Sequence, residues 1–187
     1  IFPAYDFARQ VFGDTAEVRM LLKPGQESHS YDPSAKDIVE INGCDLFVYN
    51  GGESDQWVES VLQAAPDVET FRMTDAVSLL DEEHSEGMQE DDHDHDHADG
   101  DEEEYDEHVW TSPVNAMKLV DVIGDTLAQA DPAHADIYHQ GAASYKKELE
   151  EIDAGFREVC ANRKRNMIVM GDKFPFRYLA DEYQLDY

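Results

Sequence analysis

The sequence has few basic residues, few cysteines and no long apolar run. It carries 14 Lys and Arg against 43 Asp and Glu, which gives a formal net charge of -29 at pH 7. Such a field repels the phosphates of nucleic acids and the headgroups of anionic membranes, so we expect neither as a partner. No stretch of eighteen apolar residues occurs, which argues against a membrane-spanning helix. The natural partner of so negative a chain is a cation.

Catalytic signatures and cysteine motifs are also missing. The two cysteines, Cys44 and Cys160, do not form a C-x-x-C pair, and their spacing neither predicts nor excludes a disulfide. A zinc hydrolase needs an open coordination position, a metal-bound water and a nearby base. Neither an H-E-x-x-H motif nor a similar arrangement supplies them here. We therefore do not expect an enzyme.

Residues 81–107 concentrate the acidic charge. They contain sixteen Asp and Glu, four His and no Lys or Arg. His93, His95 and His97 alternate with aspartates. His84 lies upstream of them. The segment is either a solvated, disordered loop without a metal role or a tract that binds zinc weakly and raises its local concentration. The density of imidazole and carboxylate favours the second interpretation.

Strand and helix patterns alternate along the rest of the chain, which predicts an α/β fold with a mainly parallel sheet flanked by helices. Short apolar runs predict strands at 16–22, 45–49, 68–73 and 166–170. Periodic apolar residues predict helices over 4–13, 35–42, 54–64, from 113 onward, over 132–161 and over 175–183.

The longest predicted helix suggests how the chain is divided. At 1.5 Å per residue it would span roughly 40 Å, which is enough to cross between two domains. We expect a first lobe over 1–131 that carries the acidic segment as a loop, a linking helix over 132–161, and the start of a second α/β lobe over 162–187.

Two histidines stand where a parallel sheet places its ligands, after a strand or ahead of a helix. His29 follows the first predicted strand and a Pro-Gly turn, and His108 precedes the helix that begins near Pro113. Neutral imidazole is a good zinc ligand, and a neighbouring acid can orient it by accepting from its second nitrogen. Taken singly, each histidine is more often a solvated or packing residue.

Three segments together resemble the cluster A-I family of solute-binding proteins, the zinc and manganese receptors of ABC importers. Residues 24–34 (PGQESHSYDPS) resemble its first metal-binding signature, Pro-Gly-x-x-x-His-x-Tyr-x-Pro. Residues 106–116 (DEHVWTSPVNA) look like the second, Asp-x-His-x-Trp-x-x-Pro. Residues 45–59 are similar to the strand-Asn-Gly-Gly-x-x-x-x-Trp stretch between them. An acidic, His-rich loop before the second signature is typical of the family's zinc members.

The resemblance implies a monomer of two α/β lobes joined by a rigid helix, with the metal held in the cleft. It implies a protein outside the cytoplasm, a cell-surface lipoprotein or a periplasmic protein, that delivers its metal to an ABC permease. We expect the present chain to lack a signal segment and most of the second lobe. A further acidic ligand, usual in the family, would then lie beyond Tyr187.

The resemblance implies that His29 and His108 are metal ligands. The family's third histidine falls five residues before Tyr178, where this chain has Lys173. Because a lysine has no ready lone pair at neutral pH, we predict that the neighbouring Asp172 is the third ligand instead.

The two signatures say less about accessory ligands and about the identity of the metal. The possible accessory ligands are Glu27, His84, His93, His95 and His97. The ligand types suit zinc, manganese or iron, and the His-rich segment favours Zn²⁺, with Mn²⁺ as the alternative. Two other functions stay open: an adhesion lipoprotein, as some family members are described, and an acidic zinc buffer that acts through the His-rich segment.

Overall fold

A computed structural model of the protein describes residues 1–26, 28–82, 105–171 and 174–187. The helices are α1 (Phe2–Phe12), α2 (Ala35–Asn42), α3 (Trp57–Ala64), α4 (Pro113–Ala130), α5 (Ala135–Ala161) and α6 (Arg177–Glu182), and the strands are β1 (Phe47–Tyr49) and β2 (Thr70–Arg72). Short 3₁₀ turns lie at Glu53–Asp55, Met73–Ala76, Val109–Thr111 and Pro132–His134. Within these ranges no helix has both the length and the apolar character needed to cross a bilayer.

The strands β1 and β2 form a small parallel sheet. Phe47 lies opposite Thr70, and Tyr49 lies opposite Arg72. The two strands therefore end at the same edge, where Asn50 continues the chain. The predicted α/β class is confirmed, in a form with more helix and less sheet than the sequence suggested.

Two predicted strands are not strands in the structure. Residues 16–22 are irregular, because no described strand lies beside them to accept and donate the hydrogen bonds that a strand requires. The segment 166–170 makes only an isolated parallel bridge between Met167 and Asp186, and Val169 is exposed. The prediction of a strand at 16–22 and of a buried strand at 166–170 is wrong.

The main core lies between α1, α4 and α5 and extends to β2 and α6. Apolar residues recur on one face of α4 at helical spacing and fill its centre. The completely or almost completely buried side chains of this core are Val11, Met73, Val109, Leu119, Val120 and Ile123. This main core supports the start of α4, where Ser112 caps the helix and Pro113 occupies its first turn.

A smaller core lies between α2, α3 and β1. Its buried members are Ile41, Phe47, Val58, Val61 and Ala65, and Trp57 packs against them. At the start of α2, Ser34 and Asp37 make reciprocal capping hydrogen bonds. The two cores thus gather different helices of the chain.

The predicted long helix is present as α5. Tyr138, Ala142 and Leu149 are buried along it, whereas Ile152 and Val159 towards its end are exposed. The helix therefore packs against the main core mainly through its first half. The lobe boundaries expected from the sequence stay predictions.

A glycine sets how closely α1 and α5 approach. A Cβ atom at Gly141 would clash with the carbonyl oxygen of Val11 and lie 3.0 Å from that of Gln10. Because these are backbone atoms, only a shift of α1 and α5 relative to each other could relieve the clash. We expect Gly141→Ala to lower the free energy of unfolding by about 1–3 kcal/mol, measured by urea denaturation.

A second glycine of the same helix is the matched control. A Cβ atom at Gly155 meets no atom within 4 Å, so Gly155→Ala should gain up to about 1 kcal/mol from helix propensity alone. Equal stability of the two variants would show that the α1–α5 contact does not depend on this glycine.

Candidate metal centre

The first signature histidine lies in a loop that is anchored by the smaller core. Tyr31 is buried, and its ring meets Trp57 edge-on with 5.0 Å between the ring centroids. The backbone N–H of Tyr31 donates to the carbonyl of Ser28 across a tight turn. This turn leaves the His29 side chain 45% exposed, with Nε2 directed at Glu107.

The second signature histidine, His108, directly precedes the 3₁₀ turn Val109–Thr111. Its carbonyl accepts from both the backbone N–H and the hydroxyl of Thr111. Val109 follows as a fully buried residue of the main core, and the Trp110 ring lies 5.4 Å from the His108 ring. These contacts fix the backbone of His108 while its side chain stays 31% exposed.

Asp106 orients the imidazole of His108. One carboxylate oxygen, Oδ1, accepts from the backbone N–H of His108 at 2.7 Å and lies 3.1 Å from its ring Nδ1. With Nδ1 carrying the proton, Nε2 keeps the lone pair that a metal needs. The expectation that a neighbouring acid can orient this histidine is met by this geometry.

The same carboxylate shifts the protonation of His108. Burial lowers the pKa of the imidazole, but the hydrogen bond and charge of Asp106, with smaller contributions from Glu107 and Glu82, outweigh burial and raise the pKa above its ordinary 6.5. Protons therefore compete for this ring at a higher pH than they would for a free histidine.

A glycine-rich loop after β1 holds the segment that contains His108. Asn50 is fully buried, and its side-chain amide donates to the carbonyls of Gly51 and Glu107, each at 2.9 Å. Asp55 accepts from the backbone N–H groups of Asn50 and Gly51. The edge of the sheet is thus tied directly to the second signature, at the end of the sheet where parallel strands place their ligands.

The helix α6 holds this segment from the other side. The buried Tyr178 hydroxyl donates to the carbonyl of Asp106 at 2.7 Å and accepts from the N–H of Leu80 at 3.2 Å. Asp81 and Tyr105 pair as an isolated antiparallel bridge beside it. The two ends of residues 81–107 are therefore paired with each other. Asp106 and Glu107, which the sequence places in that segment, lie at the candidate metal centre.

Glu107 joins the two signatures. Its Oε1 lies 3.8 Å from Nε2 of His29, so the first histidine lies beside the residue that precedes the second. Its Oε2 accepts from the N–H and hydroxyl of Ser54 at 3.0 and 2.9 Å. Sequence analysis did not select Glu107, since it is one of sixteen acids in residues 81–107. The adjacent His108 was the only available signal.

The remaining predicted ligands lie outside the described residues. These are Glu27, His84, His93, His95, His97 and Asp172. Within the described ranges, no three His, Cys, Asp or Glu residues form a group that could hold a metal ion. The structure therefore brings together His29, Glu107 and the His108 segment, and the assignment of a full ligand set stays a prediction.

Comparisons with known proteins bear on the family of the chain. The family model described as ZnuA, zinc-uptake complex component A, periplasmic, matches residues 1–187. The zinc-binding lipoprotein AdcA of Streptococcus pneumoniae strain R6 is 37% identical over 186 residues, which are 98% of this chain and 36% of that protein. The iron-binding protein YfeA of Yersinia pestis is 30% identical over 180 residues, 95% of this chain and 53% of that protein.

Solved structures show the same relationship. The crystal structure of Zn(II)-bound AdcA from Streptococcus pneumoniae matches with a TM-score of 0.81 and 34% identity, over 98% of this chain and 36% of that one. The laminin-binding protein Lmb of Streptococcus agalactiae, described as bifunctional with adhesin and metal-transporting activity, matches with a TM-score of 0.78 and 28% identity, over 99% and 63%. The chain thus spans little more than a third of the length of AdcA.

Proposed function

Because the chain belongs to the ZnuA family of zinc-uptake complex components, we propose that it captures Zn²⁺ for delivery to an ABC permease. The cation is cargo that is bound and released unchanged, so no catalytic step is involved. The observation that carries the proposal is the 3.8 Å approach of His29 to Glu107, which puts the first signature histidine beside the second signature.

The proposed ligands are His29 and His108, completed by Asp172 and by residues outside this chain. Asp106 supports the choice of His108, because a carboxylate on Nδ1 leaves Nε2 free for a metal. Two imidazoles and carboxylate oxygen suit zinc well, and Mn²⁺ is the alternative cargo. Glu27 is a candidate accessory carboxylate in the same loop as His29.

We place the protein outside the cytoplasm, as a lipoprotein or in the periplasm. The family model is described as periplasmic, and AdcA is named a lipoprotein. The expected assembly is a monomer that holds the cation in the cleft between two lobes and meets the permease only to release it.

The acidic segment is proposed as a feeder that collects zinc near the centre. Removal of residues 83–104 tests this role, and the pairing of Asp81 with Tyr105 allows a short turn to close the gap. We expect the full-length protein without residues 83–104 to keep one tightly bound zinc and to lose the weaker binding of additional zinc ions. Titration against a competing chelator, with metal content by elemental analysis, measures both.

The same deletion decides between capture and buffering. A zinc buffer that acts through the histidines of this segment would lose tight stoichiometric binding when residues 83–104 are removed. That result would overturn the proposed capture by His29 and His108.

Adhesion is a second candidate function, favoured by the similarity to Lmb. Adhesion, unlike transport, could proceed without a bound metal. Binding of the protein to immobilised laminin that persists in excess chelator would support adhesion as a separate activity, and binding that needs the metal would tie it to the capture centre.

A further inference from the structure

Glu107 is a buried carboxylate whose two oxygens face different groups. Its side chain is only 10% exposed. Burying an ionised carboxylate is unfavourable unless hydrogen bonds and charges compensate it. Two donors from Ser54 satisfy Oε2, whereas Oε1 is turned towards Nε2 of His29.

The surrounding chain confines this side chain. A Cβ atom at Gly52 would lie 2.5 Å from Oε2 of Glu107 and 2.7 Å from its Cβ, so a side chain at position 52 would displace the carboxylate. Gly52 also has a φ of +101°, in the region that favours glycine. The amide of Asn50 holds the carbonyl of Glu107. The orientation of Oε1 towards His29 is thus set by packing on several sides.

The geometry points to Glu107 as the buried charge that stabilises a cation on His29, an inference that rests on the proposed function. At 3.8 Å its Oε1 is too far from Nε2 of His29 for a hydrogen bond, and its charge lies beside the cation once Nε2 has bound it. The two neutral imidazoles compensate none of the charge of a divalent cation, and Asp172 would compensate only half of it. A carboxylate buried next to that charge stabilises it more than exposed acids, whose fields water and salt screen.

The test is Glu107→Gln in the full-length protein, with Zn²⁺ affinity measured by competition with a chromophoric chelator. Glutamine keeps the size of the side chain and an oxygen that accepts from Ser54, but it removes the charge. We expect affinity to fall roughly 10- to 100-fold, as for other groups that act through a ligand. The matched control is Glu53→Gln, an exposed acid beside Ser54, which should stay within about threefold of wild type.

Two further measurements separate a role at the metal from a role in the fold. The thermal midpoint of the Glu107→Gln protein in excess chelator should match wild type, while its rise on adding zinc should be smaller. If Glu107→Gln does not fold, Ser54→Ala decides, because it keeps the charge but removes one of the two hydrogen bonds that hold Oε2. Its affinity should fall by about threefold or more.

Failure of this inference is distinguishable from failure of the proposed function. Wild-type affinity in Glu107→Gln, together with lost binding in His29→Ala, would overturn the role of Glu107 and leave capture intact. Wild-type affinity in both variants would overturn the capture centre itself. For a Glu107→Gln protein that does not fold, wild-type affinity in Ser54→Ala would overturn the inference.

Discussion

Replacement of His29 by alanine should remove tight zinc binding from the full-length protein. Loss of a group that merely orients a ligand costs roughly 10- to 100-fold in metal affinity, so loss of a ligand should cost about 100-fold or more. The protein should still fold, because the half-exposed His29 ring is not part of either core, and the buried Tyr31 anchors its loop. Competition titration gives the affinity, and circular dichroism gives the fold.

A histidine elsewhere on the surface provides the control for this experiment. His139 on α5 is exposed and pairs with Asp125 of α4, outside the candidate centre. His139→Ala should bind zinc as wild type does. If the two variants bound zinc equally well, His29 would not be a ligand, and the first signature would have only a structural role.

Replacement of Asp106 by asparagine should weaken zinc binding and change its pH dependence. The amide oxygen can still accept from the backbone of His108, but the charge that fixes the Nδ1 proton is lost. We expect a loss of roughly 10- to 100-fold at pH 7.5. Titration of affinity against pH supplies a second, independent measurement.

The direction of the pH effect follows from the causes of the His108 shift. In the wild type the pKa of His108 is raised, so with His108 as a ligand we expect zinc affinity to begin to fall already above pH 6.5 and to fall further as the pH drops. Removal of Asp106 leaves burial as the main influence, which lowers the pKa. The acidic loss of affinity should therefore begin at a lower pH in Asp106→Asn than in wild type.

Asp125→Asn is the matched control, since Asp125 is an exposed acid paired with another histidine. It should leave both the affinity and its pH profile unchanged. An Asp106→Asn protein with wild-type pH dependence would contradict the assignment of Asp106 as the group that orients His108.

Local signals predicted the helices well and the strands less well. Ser34 with Asp37, and Ser112 with Pro113, mark helix starts through hydrogen bonds and backbone angles that these residues make with near neighbours. A strand depends on a partner that is distant in sequence. Residues 16–22 have the apolar character of a strand, but no described strand pairs with them.

The centre was predictable to the extent that it follows sequence signatures. The signatures predict His29 and His108 as ligands, which stay predictions, and the structure shows the expected acid, Asp106, beside Nδ1 of His108. The proposed role of Glu107 could not be predicted, because it depends on contacts with Ser54 and Gly52, about fifty residues earlier in the chain. Composition placed Glu107 among solvated acids, and only the packing of the loop after β1 separates it from them.

The two candidate histidine ligands rest on different cores, so a cation bound by both would also have a structural role. The His29 loop rests on the smaller core through Tyr31 and Trp57, whereas Val109, next to His108, is buried in the main core. A cation held by both imidazoles ties two packing units together with coordinate bonds, and its binding free energy resists their separation. Under the proposed function, release of the ion to a permease would therefore also remove a link between the two packing units.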